Sequence, residues 1–170
     1  MGMYPGGKII RVTPTLSTDA YAAGDVFFTA TEIPNAVSNR GGVSMLVAMY
    51  AVDTSDNADD ILFVFSEKGT NNLGTINASA GISDDNLLAN DILGTTFLDS
   101  SDADSAANID NSKIHQVLGA SGSNENPNRN MLLKAADGST SVYIQAILTS
   151  STTPTFAADD FQLIFHIKHL

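Results

Sequence analysis

The sequence predicts an all-β fold: a jelly-roll-like antiparallel β-sandwich with one short helix and long loops, forming a single domain over residues 1–170. Short apolar runs rich in β-branched and aromatic residues, each bounded by turn residues, indicate strands. Long segments rich in Ser, Asn, Asp and Gly separate these runs, as in sandwiches and jelly rolls. No internal repeat or domain linker is visible, and 170 residues suffice for one domain with a sizeable core.

The clearest strand is Val43–Val52, which is apolar at nearly every position apart from Ser44. A strand that is apolar on both faces is covered on both sides, or is partly covered by another subunit. Met45 and Met49 fit either the core or a soft contact patch, and the buried character of the strand favours the core. The next run, Ile61–Phe65, is short, β-branched and aromatic, and is also predicted to be a strand.

The C-terminal half holds two further strands. Val142–Leu148 follows the turn sequence Asp137-Gly138-Ser139. Phe161–Lys168 alternates with period two: Gln162, His166 and Lys168 lie on the polar face, which only Ile164 interrupts. Weaker patterns predict strands at Lys8–Thr15, where Pro14 marks an edge or an end, and at Val26–Thr31.

One helix is predicted after Ser83, which is suited to cap it, with Asp84 and Asp85 in the first turn. The apolar spacing of Leu87, Leu88, Ile92 and Leu93 continues the helix to Gly94. The predicted loops are Ser17–Asp25, Pro34–Gly42, Thr70–Ala80, Asp99–Ser112 and Ala120–Asn130. Loops of this length tend to be functional or bound to a partner.

Charge and composition exclude several classes of protein. The formal net charge is −11, and 12 acidic residues face one basic residue, Lys68, between Asp53 and Asp110. Such a field repels phosphate backbones, so we expect no nucleic-acid binding. No segment has the length and apolarity of a signal peptide or a membrane span, and we expect no membrane association. The absence of Cys excludes disulfides and thiolate sites.

The carboxylates Asp53, Asp56, Asp59 and Asp60 lie between two predicted strands and raise the question of a metal site. An EF-hand loop starting at Asp53 would need Gly where Ala58 stands. The acidic stretch Asp99–Asp110, which contains Asp102, fails in the same way, with Asp104 at the Gly position. Solvated hairpin tips are favoured, no metal ligand or cofactor is predicted, and an irregular Ca²⁺ site stays open.

No catalytic site is predicted either. His166 and His169 lie three apart on a strand and point to opposite faces, while His115 has no evident partner, so surface or interface positions are favoured. Ser121 lies in a sequence one residue short of a nucleophile elbow. The absence of Trp weakens carbohydrate binding. The scarce cations Arg11, Arg40 and Arg129 suit either solvent or a carboxylate across an interface.

The segment Val12–Phe27, VTPTLSTDAYAAGDVF, resembles the opening of a family of tailed-phage decoration or cement proteins. The order of later phrases is also similar: the strand in Gly41–Val52, LFVFSEKGT, the ISDDNLLANDILG helix, an LLKAADGSTSVYIQAIL hairpin and TPTFAADDFQLIF. The resemblance implies a jelly-roll-like fold and, on the capsid surface of a virion assembled in the host cytoplasm, a homotrimer bound to the major capsid protein. The sequence departs from the family at its short N-terminus, where we expect no long capsid-wrapping arm.

The first functional hypothesis is therefore a non-enzymatic capsid decoration protein that stabilises the phage head. The alternative is a receptor-binding or other extracellular β-sandwich module, possibly Ca²⁺-dependent through the acidic loops. An acid hydrolase with paired Asp residues is the weakest hypothesis, because no pair of carboxylates can be named for it.

Overall fold

The computed structural model describes residues 6–57, 59–101, 106–118, 130–150 and 152–170. In this part of the chain two antiparallel sheets pack face to face, which confirms the predicted all-β, jelly-roll-like sandwich. In chain order the elements are β1 (Gly7–Val12), β2 (Val26–Ile33), β3 (Val43–Asp53), β4 (Ile61–Ser66), α1 (Asp84–Ala89), β5 (Ile92–Leu98), β6 (Ala106–Ile109), β7 (Ser112–Leu118), β8 (Met131–Lys134), β9 (Val142–Leu148) and β10 (Phe161–His169).

The larger sheet has six strands in the order β1-β10-β3-β7-β6, with β8 also paired to β3. The smaller sheet has the order β2-β9-β4-β5. The inward side chains of both sheets form one continuous core. Phe27 lies at its aromatic centre, with ring centroids 5.0 Å from Phe156, 5.2 Å from Phe161 and 5.4 Å from Tyr21.

Strand β10 has the predicted alternation. Its odd-numbered residues from Phe161 to Ile167 are buried, whereas Gln162, Ile164 and His166 are half-buried on the outer face. His166 and His169 point to opposite faces, as predicted, since His169 pairs with the buried Ser44.

Strand β3 carries an extra residue relative to β10, because His166 pairs with Ala48 and Ile167 pairs with Leu46. This β-bulge at Val47 keeps both Leu46 and Met49 in the core. Met49 is therefore a core residue, as expected, but the same expectation is wrong for Met45, which is half-buried on the outer face.

The helix is shorter than predicted. Ser83 caps it, with its Oγ accepting a hydrogen bond from the Asn86 N–H, but α1 ends at Ala89. Asp91 has a φ of 54°, a left-handed conformation that stops the helix. Ile92 and Leu93, predicted to be helical, instead begin β5, which pairs with β4.

Three strands replace predicted or unassigned irregular segments. β6 and β7 form a hairpin, so the prediction of a loop over Asp99–Ser112 is wrong from Ala106 onward. β8 was not predicted as a separate strand. The late hairpin that the family resemblance suggested is also wrong, because β8 pairs with β3 and β9 pairs with β2 and β4, in different sheets.

The predicted loops at 17–25, 34–42 and 70–80 contain no helix or strand. The predicted loop at 120–130 lies outside the described residues except for Asn130. Within the described ranges, no helix combines the length and apolarity needed to cross a lipid bilayer.

Candidate functional site

The acidic residues between β3 and β4 lie at one end of the sandwich, and most of them hold loops in place. Asp53 is buried at the end of β3, where its Oδ1 accepts a hydrogen bond of 2.8 Å from the Ser55 N–H. Burial raises the pKa of Asp53, and the hydrogen bonds from Ser55 partly offset this. Asp56 forms an ion pair of 3.2 Å with Lys113 on β7.

Asp59 and Asp60 connect this loop to two other loops. Asp59 Oδ1 accepts hydrogen bonds from the hydroxyls of Ser150, at 2.8 Å, and Thr152. Asp60 Oδ1 accepts from Ser100, at 2.9 Å from the backbone N–H and 2.7 Å from the hydroxyl. These carboxylates tie together loops that are far apart in sequence.

The arrangement gives no metal centre within the described residues: no three His, Asp or Glu side chains there converge as ligands. Asp102 and Asp104 lie outside the described residues, as do Ser121 and Arg129. The carboxylates Asp53, Asp56, Asp59, Asp60, Asp99, Asp159 and Asp160 gather where β3, β5 and β9 end and β4 and β10 begin, and we call this region the acidic end.

His115 is not a surface residue, and that prediction is wrong. Its side chain is 2% exposed on the inner face of β7, and Nδ1 has no hydrogen-bond partner within the described residues. Burial, reinforced by the nearby charge of Lys113, lowers the pKa of His115. The side chain therefore packs as a neutral core residue.

The outer face of the six-stranded sheet is the most unusual surface of the molecule. In antiparallel sheets with one solvated face, that face is normally polar. Here it carries a continuous apolar area, which we call the open face. Its apolar residues include Ile9, Val43, Met45, Val47, Tyr50, Val52, Ile114, Leu132 and Ile164.

The register places these side chains in adjacent rows. Tyr50 pairs with Ile164 on one side and with Gln116 on the other. Val52 pairs with Ile114, and Met45 pairs with Leu132, which is 57% exposed. In the described part of the chain no helix or strand packs over this face.

The same sheet carries most of the positive charge. Its strands contain five of the eight Lys and Arg residues but a single carboxylate, the buried Asp53; the five are Lys8, Arg11, Lys113, Lys134 and Lys168. In the strands of the smaller sheet the only charged residue is Glu32. Of these five, Arg11 and Lys168 lie on the open face without an ion pair among the described residues, on a protein of net charge −11.

The outer face of the smaller sheet is partly covered by residues 67–91. Gln145 on β9 is fully buried beneath this segment, where its Oε1 accepts from the Leu73 N–H at 2.9 Å and its Nε2 donates to the Asn71 carbonyl at 3.1 Å. The buried Asn90 also donates to the Asn71 carbonyl, at 2.7 Å. This amide network fixes the segment on the sheet.

Between the segment and the sheet lies a cavity of about 380 Å³, which we call the apolar pocket. Its apolar walls are formed by Val64, Leu73, Ile82, Leu87, Ile92 and Ile147. Its lining has no charged side chain, so the pocket is suited to hold an apolar group and not to carry out acid–base chemistry.

Sequence reasoning indicated the open face only in part. Two sequence features indicated it: Val43–Val52 is apolar on both faces, and Ile164 interrupts the polar face of β10. Ile9 and Leu132 were not singled out, because short strands give weak patterns. Arg11 and Arg40, considered as interface cations, are both exposed, but only Arg11 lies on the six-stranded sheet.

Comparison with known proteins gives no family for this chain: no protein-family model and no curated protein matches it. Among solved structures, the unassembled VP1 pentamers of Washington University polyomavirus (R198K mutant) and KI polyomavirus align at 11% identity, each with a TM-score of 0.12. The alignments cover 95% of this chain and 70% and 68% of the respective VP1 chains. TM-scores this low establish no structural relationship.

Proposed function

We propose that this protein is a structural component of a tailed-phage virion: a capsid decoration or cement protein that binds the major capsid protein and further copies of itself, without catalysis. The observation that carries the proposal is the open face. An apolar outer sheet face is costly to leave in water, and its burial against another protein is favourable at about 25 cal/mol per Å².

The geometry of this face suits a rigid wall more than a small ligand. It is a surface of adjacent strands, where Tyr50 and Val52 lie beside Ile164 and Ile114. A cleft of about 330 Å³ adjoins it at the acidic end, where Val52 and Gln162 meet Asp160. Tyr50 also contacts the His166 ring, with centroids 5.3 Å apart. Amphipathic aromatic side chains of this kind are enriched in protein interfaces.

The distribution of charge supports the same role. Lys168 lies on the open face, where it can pair with carboxylates of a shell. The acidic end would stay in solvent and keep unassembled copies apart by repulsion. The resemblance of Val12–Phe27 to decoration proteins suggests the partner, which is the major capsid protein of a tailed phage.

The test is binding to shells assembled from the major capsid protein of the same virus without this protein. We expect saturable binding in a pelleting assay, and we expect Tyr50→Asp and Ile164→Asp each to weaken it strongly, since each would bury a carboxylate at the contact. Ser38→Asp, which adds the same charge in an exposed loop, is the matched control.

Melting temperatures establish that each variant is folded. Wild-type protein that does not bind the shells, or open-face variants that bind as well as the Ser38→Asp control, would contradict the proposal. Binding to glycans or cells instead would indicate a receptor-binding module.

A further inference from the structure

The apolar pocket has an acidic border that nothing in the described residues neutralises. Leu87 of α1 lines the pocket, and Asp84 lies three residues earlier, on the same side of the helix. Neither Asp84 nor Asp85 forms an ion pair with the described residues, and the nearby Lys68 is already paired with Asp91 at 2.6 Å. Leu88, which follows the pocket residue Leu87 on α1, is 74% exposed.

The complementary feature lies on β1, an edge strand of the other sheet. Ile9 is 52% exposed there, although it is large and apolar. Arg11 lies two residues further on the same face of the strand, exposed and without an ion pair among the described residues. An exposed apolar side chain is thus followed by an unpaired cation.

The two spacings match. Residues two apart on a strand are separated by about 7 Å. Residues three apart on a helix have Cβ atoms about 5–6 Å apart. An Ile9 side chain placed in the pocket beside Leu87 therefore brings Arg11 within reach of Asp84.

We propose that the apolar pocket binds β1 of a second copy of this chain, with Ile9 in the pocket and Arg11 against Asp84 and Asp85. The inference rests on the proposed structural role and names one contact between copies. Because the two surfaces differ, the contact is heterologous, and successive copies join until a ring closes or a filament forms.

β8 has the same pattern, but its cation is already paired. Leu132 is exposed, and Lys134 follows two residues later, yet Lys134 forms an ion pair of 2.8 Å with Glu67. Leu132 is therefore the matched control for Ile9: equally apolar and similarly exposed, but followed by a cation that is not free.

Because the chain has no Cys, the contact can be tested by crosslinking of single-Cys variants. A tagged Ile9→Cys protein is mixed with untagged Leu88→Cys protein and treated with a short bismaleimide. We expect a crosslinked heterodimer that is lost when Leu132→Cys replaces Ile9→Cys. No heterodimer, or equal yields with the two partners, would overturn the inference.

A charge exchange provides the second measurement. We expect Arg11→Glu to raise the dissociation constant for self-association about tenfold, through loss of the ion pair and a new repulsion. Arg40→Glu should leave it unchanged, and a chain carrying both Arg11→Glu and Asp84→Arg should recover association. Failure of Arg11→Glu to differ from Arg40→Glu would overturn the assignment of Arg11.

These tests separate this inference from the proposed function. Protein that binds shells but gives no Ile9–Leu88 crosslink retains the proposed function and refutes this contact between copies. Protein that gives the crosslink but does not bind shells retains this contact between copies and refutes the proposed function.

Discussion

Replacement of Gln145 by Leu tests whether the buried amide network holds residues 67–91 on the smaller sheet. The substitution keeps a side chain of similar size but removes the acceptor of the Leu73 N–H and one donor to the Asn71 carbonyl. The carbonyl keeps its bond from Asn90. The main loss is therefore one buried N–H group left without a partner.

Such a group costs about 1–3 kcal/mol. We expect Gln145→Leu to lower the free energy of unfolding by about 2 kcal/mol, which corresponds to a fall in melting temperature of about 4–8 °C for a chain of this length. Gln116→Leu is the matched control, because the Gln116 side chain is half-buried on the open face and makes no side-chain hydrogen bond within the described residues. We expect its effect to stay within about 0.5 kcal/mol.

Urea unfolding measures the stability of both variants, and hydrogen exchange measures protection of the Leu73 amide. We expect the Leu73 amide to exchange faster in Gln145→Leu than in the wild type, with no change in Gln116→Leu. If Gln145→Leu were as stable as the wild type and Leu73 stayed protected, the network would not be what fixes the segment.

Three further predictions concern packing and pH. A Cβ at Gly69 would lie 2.4 Å from the ring of Tyr143 on β9, so Gly69→Ala should destabilise the protein by about 1–3 kcal/mol. Gly81→Ala, whose Cβ would meet no atom closer than 3.7 Å, should have little effect in the same urea assay. Met49→Ala should cost about 2–5 kcal/mol in thermal unfolding, because Met49 is fully buried, and Met45→Ala on the open face should cost much less. Since the pKa of His115 is lowered from 6.5 in the folded state, the unfolded chain binds more protons below that pH; stability should fall as pH decreases below about 6.5, and the slope should become shallower in His115→Gln.

The strands that could be predicted from sequence are those whose own residues specify them. Three strands carry long apolar or alternating patterns, and their apolar side chains favour burial whichever strands they pair with: Val43–Asp53, Val142–Leu148 and Phe161–His169. Residues such as Ala106–Ile109 and Met131–Lys134 are strands because of what they pair with, and pairing across a sheet is not encoded locally.

The helix shows the same limit. Its capping residue and acidic first turn were correctly assigned, but Ile92 and Leu93 continued the helical spacing while belonging to β5. The left-handed conformation of Asp91 and the pairing of β5 with β4 outweighed a local pattern of four apolar residues.

The open face could be predicted from sequence only as one of two alternatives, and the apolar pocket could not be predicted. A strand that is apolar on both faces predicted cover on both sides or by another subunit; the smaller sheet covers the inner face of β3, and within the described residues no helix or strand covers its outer face. Which residues face outward depended on the bulge at Val47, which shifts the alternation along β3. The apolar pocket depends on residues 67–91 folding onto the smaller sheet, and no local motif specified this.

The central claim, that the open face binds a protein shell, is tested most directly by a cryo-electron microscopy reconstruction of the intact particle. We expect density for this chain on the shell, with Tyr50, Val52 and Ile164 buried against the major capsid protein. Particles in which the chain is absent, or in which these side chains face solvent, would contradict it.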